Sequence, residues 1–162
     1  MKPLIICLLG ALVVLPAGAQ LKTTPVCPGV YVDLLDGTVN GLEPDFTAGQ
    51  IKKSLPCFTA EEPESATSRC GGLIAYRDRD IYFYTGRNYV EIGPRFKGKL
   101  SLPLMGASRN SLFKWLGHPR IRDVNWDAFQ TQYGILILYY RGGRVNRIQF
   151  STESTESIRL CE

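Results

Sequence analysis

One histidine stands in the whole chain, His118, held between Gly117 and Pro119. It is the side chain whose ordinary pKa best suits a general base near neutral pH. Nucleophilic catalysis would need a serine or cysteine beside it in space. Ser108 and Ser111 are near in sequence, but both fall where a helix should begin and read as capping residues. Carboxylate pairs are equally weak candidates. Asp78 and Asp80 alternate with Arg77 and Arg79 in a turn, while Asp123 and Asp127 flank Trp126 in a loop where they could meet a carbohydrate or calcium. A calcium loop wants regularly spaced oxygens about a central glycine, and 123–127 has neither. Gly71-Gly72 and Gly142-Gly143 read as turns rather than phosphate cradles. His118 itself reads as a helix C-terminal residue whose partial positive charge suits the helix dipole. The chain is expected to be non-catalytic, with no metal and no cofactor.

Five cysteines carry the other reactive chemistry. Cys7 lies in an N-terminal segment that reads as a secretion signal: Lys2 as the positive start, Leu4 to Pro16 as the apolar core, and Ala17-Gly18-Ala19 as the cleavage signal. Cleavage is expected after Ala19, leaving Gln20 first, in the periplasm or outside the cell. The apolar run is too short to span a bilayer, and no later segment is long and uncharged enough to do so, so no transmembrane segment is expected. Bulky Ile6 and the short stretch before Cys7 argue against lipidation there. The remaining Cys27, Cys57, Cys70 and Cys161 are an even set in an exported chain, which reads as disulfides. Three pairings are possible. Cys57–Cys70, closing a helix-to-strand loop, is favoured, with Cys27–Cys161 tying the two ends together. Zinc would want a C-x-x-C and more histidine than the chain has.

The formal net charge of +4 is weak, and the arginines are spread among carboxylates rather than clustered. A nucleic-acid partner is therefore not expected. The conspicuous side chains are aromatic. In Ile81-Tyr82-Phe83-Tyr84, strand alternation sends Ile81 and Phe83 one way and Tyr82 and Tyr84 the other. Tyr89 extends that row, and Tyr140 occupies the turn-flanking position that matches Tyr84, with Tyr139 on the opposite face. Tyrosines beside arginines (Arg87, Arg141) are typical of interface hot spots. Leu136 and Leu138 share Tyr140's face, so that strand could bury both sides. Trp126 joins Tyr82, Tyr84, Tyr89, Tyr140, Arg87 and Arg141 as the expected binding surface.

These residues must be positioned by helices and strands, and the pattern repeats. Thr47 to Pro56 is a helix with a Thr47/Gln50 capping box, an Ile51/Leu55 apolar pair and a proline stop. Strands are expected at about 72–76, 80–85 and 88–92. Ser108 to Gly117 repeats the helix, with Leu112 and Leu116 spaced as Ile51 and Leu55 are. Strands follow at about 127–133, 134–140 and 144–151. The organisation expected is a signal peptide (1–19), an N-terminal arm and hairpin turning at Asp36-Gly37 (20–40), module one (41–98) and module two (99–162). The fold class expected is α+β, two similar modules, each a short helix packed on an antiparallel sheet of three to four strands.

A short capped helix, then Leu116-Gly117-His118-Pro119, then a strand pair ending in Gly143 to Ile148 resembles the small outer-membrane assembly lipoproteins of the SmpA/OmlA type. Two such units in tandem resemble the β-lactamase inhibitory protein family, over roughly residues 41–151. That resemblance implies helices on an antiparallel sheet and protein binding without chemistry. A disulfide after the helix, as Cys57 and Cys70 would form, is part of it; copy two has none, and region 30–40 has no counterpart. The expected function is recognition of another protein through an aromatic sheet surface, inhibitor-like or scaffold-like. A cell-envelope assembly or surface accessory role and a glycan-binding module are the alternatives.

Overall fold

The computed structural model describes residues 26–68 and 70–161. The expected signal peptide, its expected cleavage after Ala19 and the first residues of the arm lie outside them. Strand accounts for 34% and helix for 13% of the described residues.

The chain opens with β1 (Tyr31–Asp33) and β2 (Thr38–Val39), which pair as a small hairpin through Val32↔Val39. Gly37 at its turn has φ +67, and a Cβ there would run into the Tyr133 ring, so glycine is required twice over. The first helix, α1 (Ala48–Ser54), forms as its capping box predicts: Thr47 Oγ1 accepts from the Gln50 N–H, and Gln50 Oε1 accepts from the Thr47 N–H. Ile51 and Leu55 are fully buried, while Lys52 turns out to pair with Glu61 at 2.7 Å. Glu61 lies on β3 (Ala60–Glu62), which leads to β4 (Leu73–Tyr76), β5 (Ile81–Tyr84) and β6 (Tyr89–Ile92). The linker of residues 93–99 is not loose: β7 (Lys99–Leu100) pairs parallel with β1, completing a three-stranded sheet. The second helix, α2 (Phe113–Leu116), is one turn preceded by a 3-10 turn at Arg109–Ser111, and it ends at Gly117 with φ +69. After it come β8 (Ile121–Arg122), β9 (Trp126–Gln130), β10 (Ile135–Arg141) and β11 (Arg144–Ser151).

Two separate helix-on-sheet modules are not what these elements build. β6 pairs antiparallel with β11 from Ile92↔Ile148 to Tyr89↔Ser151, so both strand groups fuse into one eight-stranded antiparallel sheet in the order β3-β4-β5-β6-β11-β10-β9-β8. The expectation fails because each short helix is too small to close a sheet of its own, whereas edge pairing satisfies two rows of backbone groups at once. One face of the sheet is sealed. Ile74, Phe83, Val90, Phe150, Leu136 and Phe129 form a cross-strand row along it, each at most 3% exposed. Val32 and Val39 of the small sheet with Leu34 after β1, Ile51 of α1 with Leu55 at its C-cap, and Leu104 and Leu112 cover that row in a single core.

The disulfides are Cys27–Cys57 and Cys70–Cys161, with Cα atoms 5.6 and 5.2 Å apart. Neither the favoured Cys57–Cys70 bond nor Cys27–Cys161 forms. Cys57 precedes β3 and Cys70 precedes β4, and these neighbours run antiparallel with Ala60 opposite Ala75. The two cysteines therefore sit at opposite ends of the strand pair. Cys27–Cys57 anchors the N-terminal arm to the end of α1, and Cys70 instead receives the C-terminus. By chain-entropy reasoning, loops of 30 and 91 residues are worth about 4 and 5 kcal/mol. No helix among the described residues is long and apolar enough to cross a membrane, and the two disulfides fit an exported protein.

Candidate functional site

Alternation fixes what the second face of the sheet carries. One row crosses all eight strands: Ala60, Ala75, Tyr82, Glu91, Gln149, Ile137, Ala128 and Ile121 are successive cross-strand partners. Beside it run Tyr84, Tyr89, Ser151 and Ile135 on one side, and Arg147, Tyr139 and Trp126 on the other. This face is aromatic and polar over β5 and β6, and apolar over β8 to β10.

Among the described residues, no second layer of secondary structure covers it. The C-terminal segment after β11 does so in part. Ile158 and Leu160 pack on Ala128, Ile135 and Ile137, with Trp126 and Tyr139 at the margin of the cluster. The Cys161 N–H donates to the Tyr89 hydroxyl oxygen at 3.1 Å, and the disulfide to Cys70 fixes the end. Ser157 Oγ donates to Glu153 at 2.6 Å and Asn88 Nδ2 to the same carboxylate at 3.4 Å. Those two bonds, Ser157 first, hold the Glu153 carboxyl below its ordinary pKa. Between this segment and the sheet lies a cavity of about 430 Å³. Its floor is Ile121, Trp126, Ile137 and Tyr139, its cover is Thr155, Ile158 and Leu160, and Arg87 reaches its lining.

The expected binding residues divide. Tyr82 and Tyr84 are half-buried on this face, whereas Tyr89, in the same row, is completely buried. Tyr84 stacks on it with ring centroids 4.4 Å apart, and the C-terminal segment closes the other side. Burial raises the pKa of all three; the Tyr82 hydroxyl also donates to Asp80 Oδ1 at 3.2 Å, and Glu91 adds to the effect at Tyr84. They are neutral hydrogen-bonding phenols at physiological pH. Arg87 and Trp126, far apart in sequence, meet at the cavity. Tyr140 does not join them. A bulge between Tyr139 and Tyr140 precedes the exposed end of the strand, and Tyr140 faces the core side. There its hydroxyl donates to Asp127 Oδ2 at 2.7 Å, and burial followed by that bond raises its pKa. Arg141 sits exposed at the strand end, opposite Arg144.

Asp127 is buried, and Arg109 is its ion-pair partner, with Nε at 3.0 Å from Oδ2 and Nη2 on Oδ1. Arg109 also donates to the carbonyls of Asp123 and Val124, so it staples the loop before β9. Asp127 is thereby committed to structure rather than to calcium or sugar. His118 packs on the Phe113 ring at 4.5 Å and lines a smaller recess of about 230 Å³ with Arg109, Arg122 and Asp127. Among the described residues no serine or cysteine lines it, and Ser111 Oγ donates within its own turn to the Ser108 carbonyl.

The residues missed from sequence are Ile121, Ile137, Tyr139, Ile158 and Leu160. The apolar alternation Ile135-x-Ile137-x-Tyr139 beside Leu136 and Leu138 was the available signal, since a strand apolar on both faces must be covered on both. Gln149, in the middle of the face, is 1% exposed. Its Nε2 donates to Glu91 at 2.6 Å, and its Oε1 has no hydrogen-bond partner among the described residues. Arg147 lies 3.9 Å over the Tyr139 ring and 3.7 Å from Glu91. The arrangement can stack, bury apolar groups and donate hydrogen bonds. No family model, curated protein or solved structure matches the chain.

Proposed function

We propose that this is an exported, non-catalytic binding protein that recognises another protein through the second face of its eight-stranded sheet. The leader would be residues 1–19, removed after Ala19, and the protein would act in the periplasm or outside the cell. The observation that carries the reading is the pair Tyr82–Tyr84 on one half of that face and Trp126–Tyr139 on the other, all half-buried, with Trp126 and Tyr139 lining the cavity. Folding needs the opposite face, which is packed throughout. Rigid aromatics with Arg87 and Arg147 between them have the composition of a contact surface in which a few side chains dominate binding. Cys27–Cys57 and Cys70–Cys161 make the surface stiff before a partner arrives, which lowers the ordering cost of binding.

The test is affinity capture from the exported fraction with oxidised protein, comparing the wild type with a Tyr82→Ala/Trp126→Ala double variant. A partner retained by the wild type and by an Arg141→Ala control, and lost by at least tenfold from the double variant, supports the reading. A partner that ignores the double variant and is lost from Arg141→Ala places the contact elsewhere and sinks it.

A further inference from the structure

The apolar half of the second face is closed by a segment that the main core does not use. We propose that residues 152–161 are a redox-gated strap. A dithiol that reduces Cys70–Cys161 releases it, and an extended aliphatic-x-aliphatic segment of another protein then takes its place on Ala128, Ile135 and Ile137. This rests on the second face being a recognition surface.

The strap is separable from the fold. Among the described residues, the main core draws no side chain from beyond Phe150. Ile158 and Leu160 belong to a satellite cluster, where they are half-buried while Ala128, Ile135 and Ile137 beneath them are at most 2% exposed. A segment fixed by packing would fill the space under it, because protein interiors hold few voids larger than a water molecule. This one leaves a cavity of about 430 Å³. Its middle bonds to itself: the Ser157 and Ile158 N–H groups donate to the Ser154 carbonyl at 3.3 and 3.0 Å, and the Glu156 N–H donates to Ser154 Oγ at 3.3 Å. Attachment lies at the two ends. Asn88 Nδ2 holds Glu153 at the start, and the Cys161 N–H bond to the Tyr89 hydroxyl stands beside the disulfide at the finish. Chain termini fray unless they are tied down. Opening Cys70–Cys161 unties this one and leaves Cys27–Cys57, which joins the arm to the end of α1, in place.

The bond is within reach of a reductant. Cys70 and Cys161 are both half-buried, and Cys161 lines the cavity. A thiolate of the dithiol attacks one of the two sulfurs and forms a mixed disulfide. Its second thiol displaces the remaining cysteine, so Cys70 and Cys161 gain two electrons and two protons, and the reductant leaves as a disulfide.

The strap also shows what the opened strip accepts. Ile135 and Ile137 share one side of β10, with Ala128 of β9 opposite Ile137. Ile158 and Leu160 meet them from two positions apart, with Arg159 exposed between. That is the spacing at which an extended chain presents two side chains on one side. A bare apolar strip of this kind marks an interaction site on a soluble protein.

The test uses full-length Trp115→Phe protein, which leaves Trp126 at the margin of the strip as the one tryptophan. It is compared oxidised and as the Cys70→Ser/Cys161→Ser variant. Acrylamide quenching of Trp126 and binding of an anilinonaphthalene sulfonate dye should each rise at least twofold in the variant. Amide hydrogen exchange across 81–84 and 145–150 should stay as slow as in the oxidised protein. A capped peptide of residues 154–160 should bind the variant at least tenfold more tightly than it binds the oxidised protein. A control peptide with Ile158 and Arg159 exchanged, which sets the aliphatics side by side, should bind at least tenfold more weakly. Adding Ile158→Ser/Leu160→Ser removes the competing strap and should tighten the peptide further. Stepwise dithiothreitol reduction of the otherwise native chain, with free thiols mapped, should give the same release and separates it from a folding defect of the serine variant. Unchanged quenching and dye binding would mean that packing alone holds the segment. Lost protection across 81–84 and 145–150 when Cys70–Cys161 opens would mean that the bond supports the whole sheet. Equal binding of the two peptides would mean that the strip does not read this spacing. Each of these overturns the inference. Partner capture is measured on the oxidised protein, so a chain that captures a partner and shows no release loses this inference alone. One that releases the strap, binds the peptide and captures nothing loses the protein-recognition reading instead.

Discussion

Phe83 and Tyr82 are neighbours in the chain and face opposite ways across the sheet. Phe83 stands in a row with Ile74, Val90, Phe150, Leu136 and Phe129, all sealed under α1 and the small sheet. Tyr82 stands in a row with Ala75, Glu91, Gln149, Ile137, Ala128 and Ile121, which passes from polar to apolar across the molecule. In the first row, shape and apolar volume explain every side chain. In the second they explain only the half beneath Ile158 and Leu160. Among the aromatic residues left over, Tyr84 stacks on Tyr89 and Trp126 and Tyr139 pack at the margin of the apolar cluster, whereas Tyr82 does little that folding requires. That surplus separates a scaffold face from a recognition face.

The comparison breaks most readily at its strong end. Phe83→Ala opens a cavity in the sealed row and should cost about 3–5 kcal/mol, which for a domain of this size is a fall in Tm of roughly 10 °C. Calorimetry checks it. A loss below about 1 kcal/mol would mean the sealed face tolerates voids and that the two faces are not distinct.

The sequence showed the sealed face more clearly than the second one. The Thr47/Gln50 box, the Ile51/Leu55 pair and the alternation in 81–84 are local signals, and each specifies an element within a few residues. β3, β7 and β8 were missed because they are two or three residues long and carry Glu61, Glu62, Lys99 or Arg122, so no period can register. Fusion into one sheet depends on β6 finding β11, and that pairing joins residues more than fifty positions apart, which local patterning does not encode. The disulfides follow from the same long-range geometry. At the site, Arg87 and Trp126 were legible as residue types. The cavity they share was not, because nothing local says which face the apolar Ile158 and Leu160, returning after the polar Ser-Thr-Glu stretch, pack against. Tyr140 matches Tyr84 only in its distance from a turn; plain alternation puts it with Leu136 and Leu138, and that is the face it takes.

Alkaline pH tests the two faces together. Burial raises the pKa of Tyr76, Tyr133 and Tyr140 on the core side and of Tyr82, Tyr84 and Tyr89 on the other. Below about pH 10 these phenols are protonated in both folded and unfolded chains, and their contribution is fully present. Above it the unfolded chain releases protons that the folded chain retains, so stability falls as pH rises towards the folded values. Tm should therefore drop steeply above pH 10, and the tyrosinate absorbance of Tyr76, Tyr89, Tyr133 and Tyr140 should appear with unfolding rather than before it. Tyr89→Phe should shallow the drop. An unchanged slope would mean the C-terminal segment does not seal Tyr89, and the second face would be open across its whole width.

The smallest effect on stability should come from Tyr82→Ala. Tyr84 is the poorer choice for separating binding from folding, because its ring stacks on buried Tyr89 and its loss would disturb both. Tyr82 gives up one hydrogen bond to Asp80 and partial burial, a loss of about 1 kcal/mol. Asp80 keeps the Arg95 N–H at 2.8 Å, so the β4–β5 turn retains its anchor. Denaturant unfolding should show a nearly unchanged midpoint beside a partner affinity reduced tenfold or more. If affinity stays constant and the midpoint falls as far as in Phe83→Ala, Tyr82 is a core residue that happens to be half-exposed, and the distinction between the two faces dissolves at the position where it was sharpest.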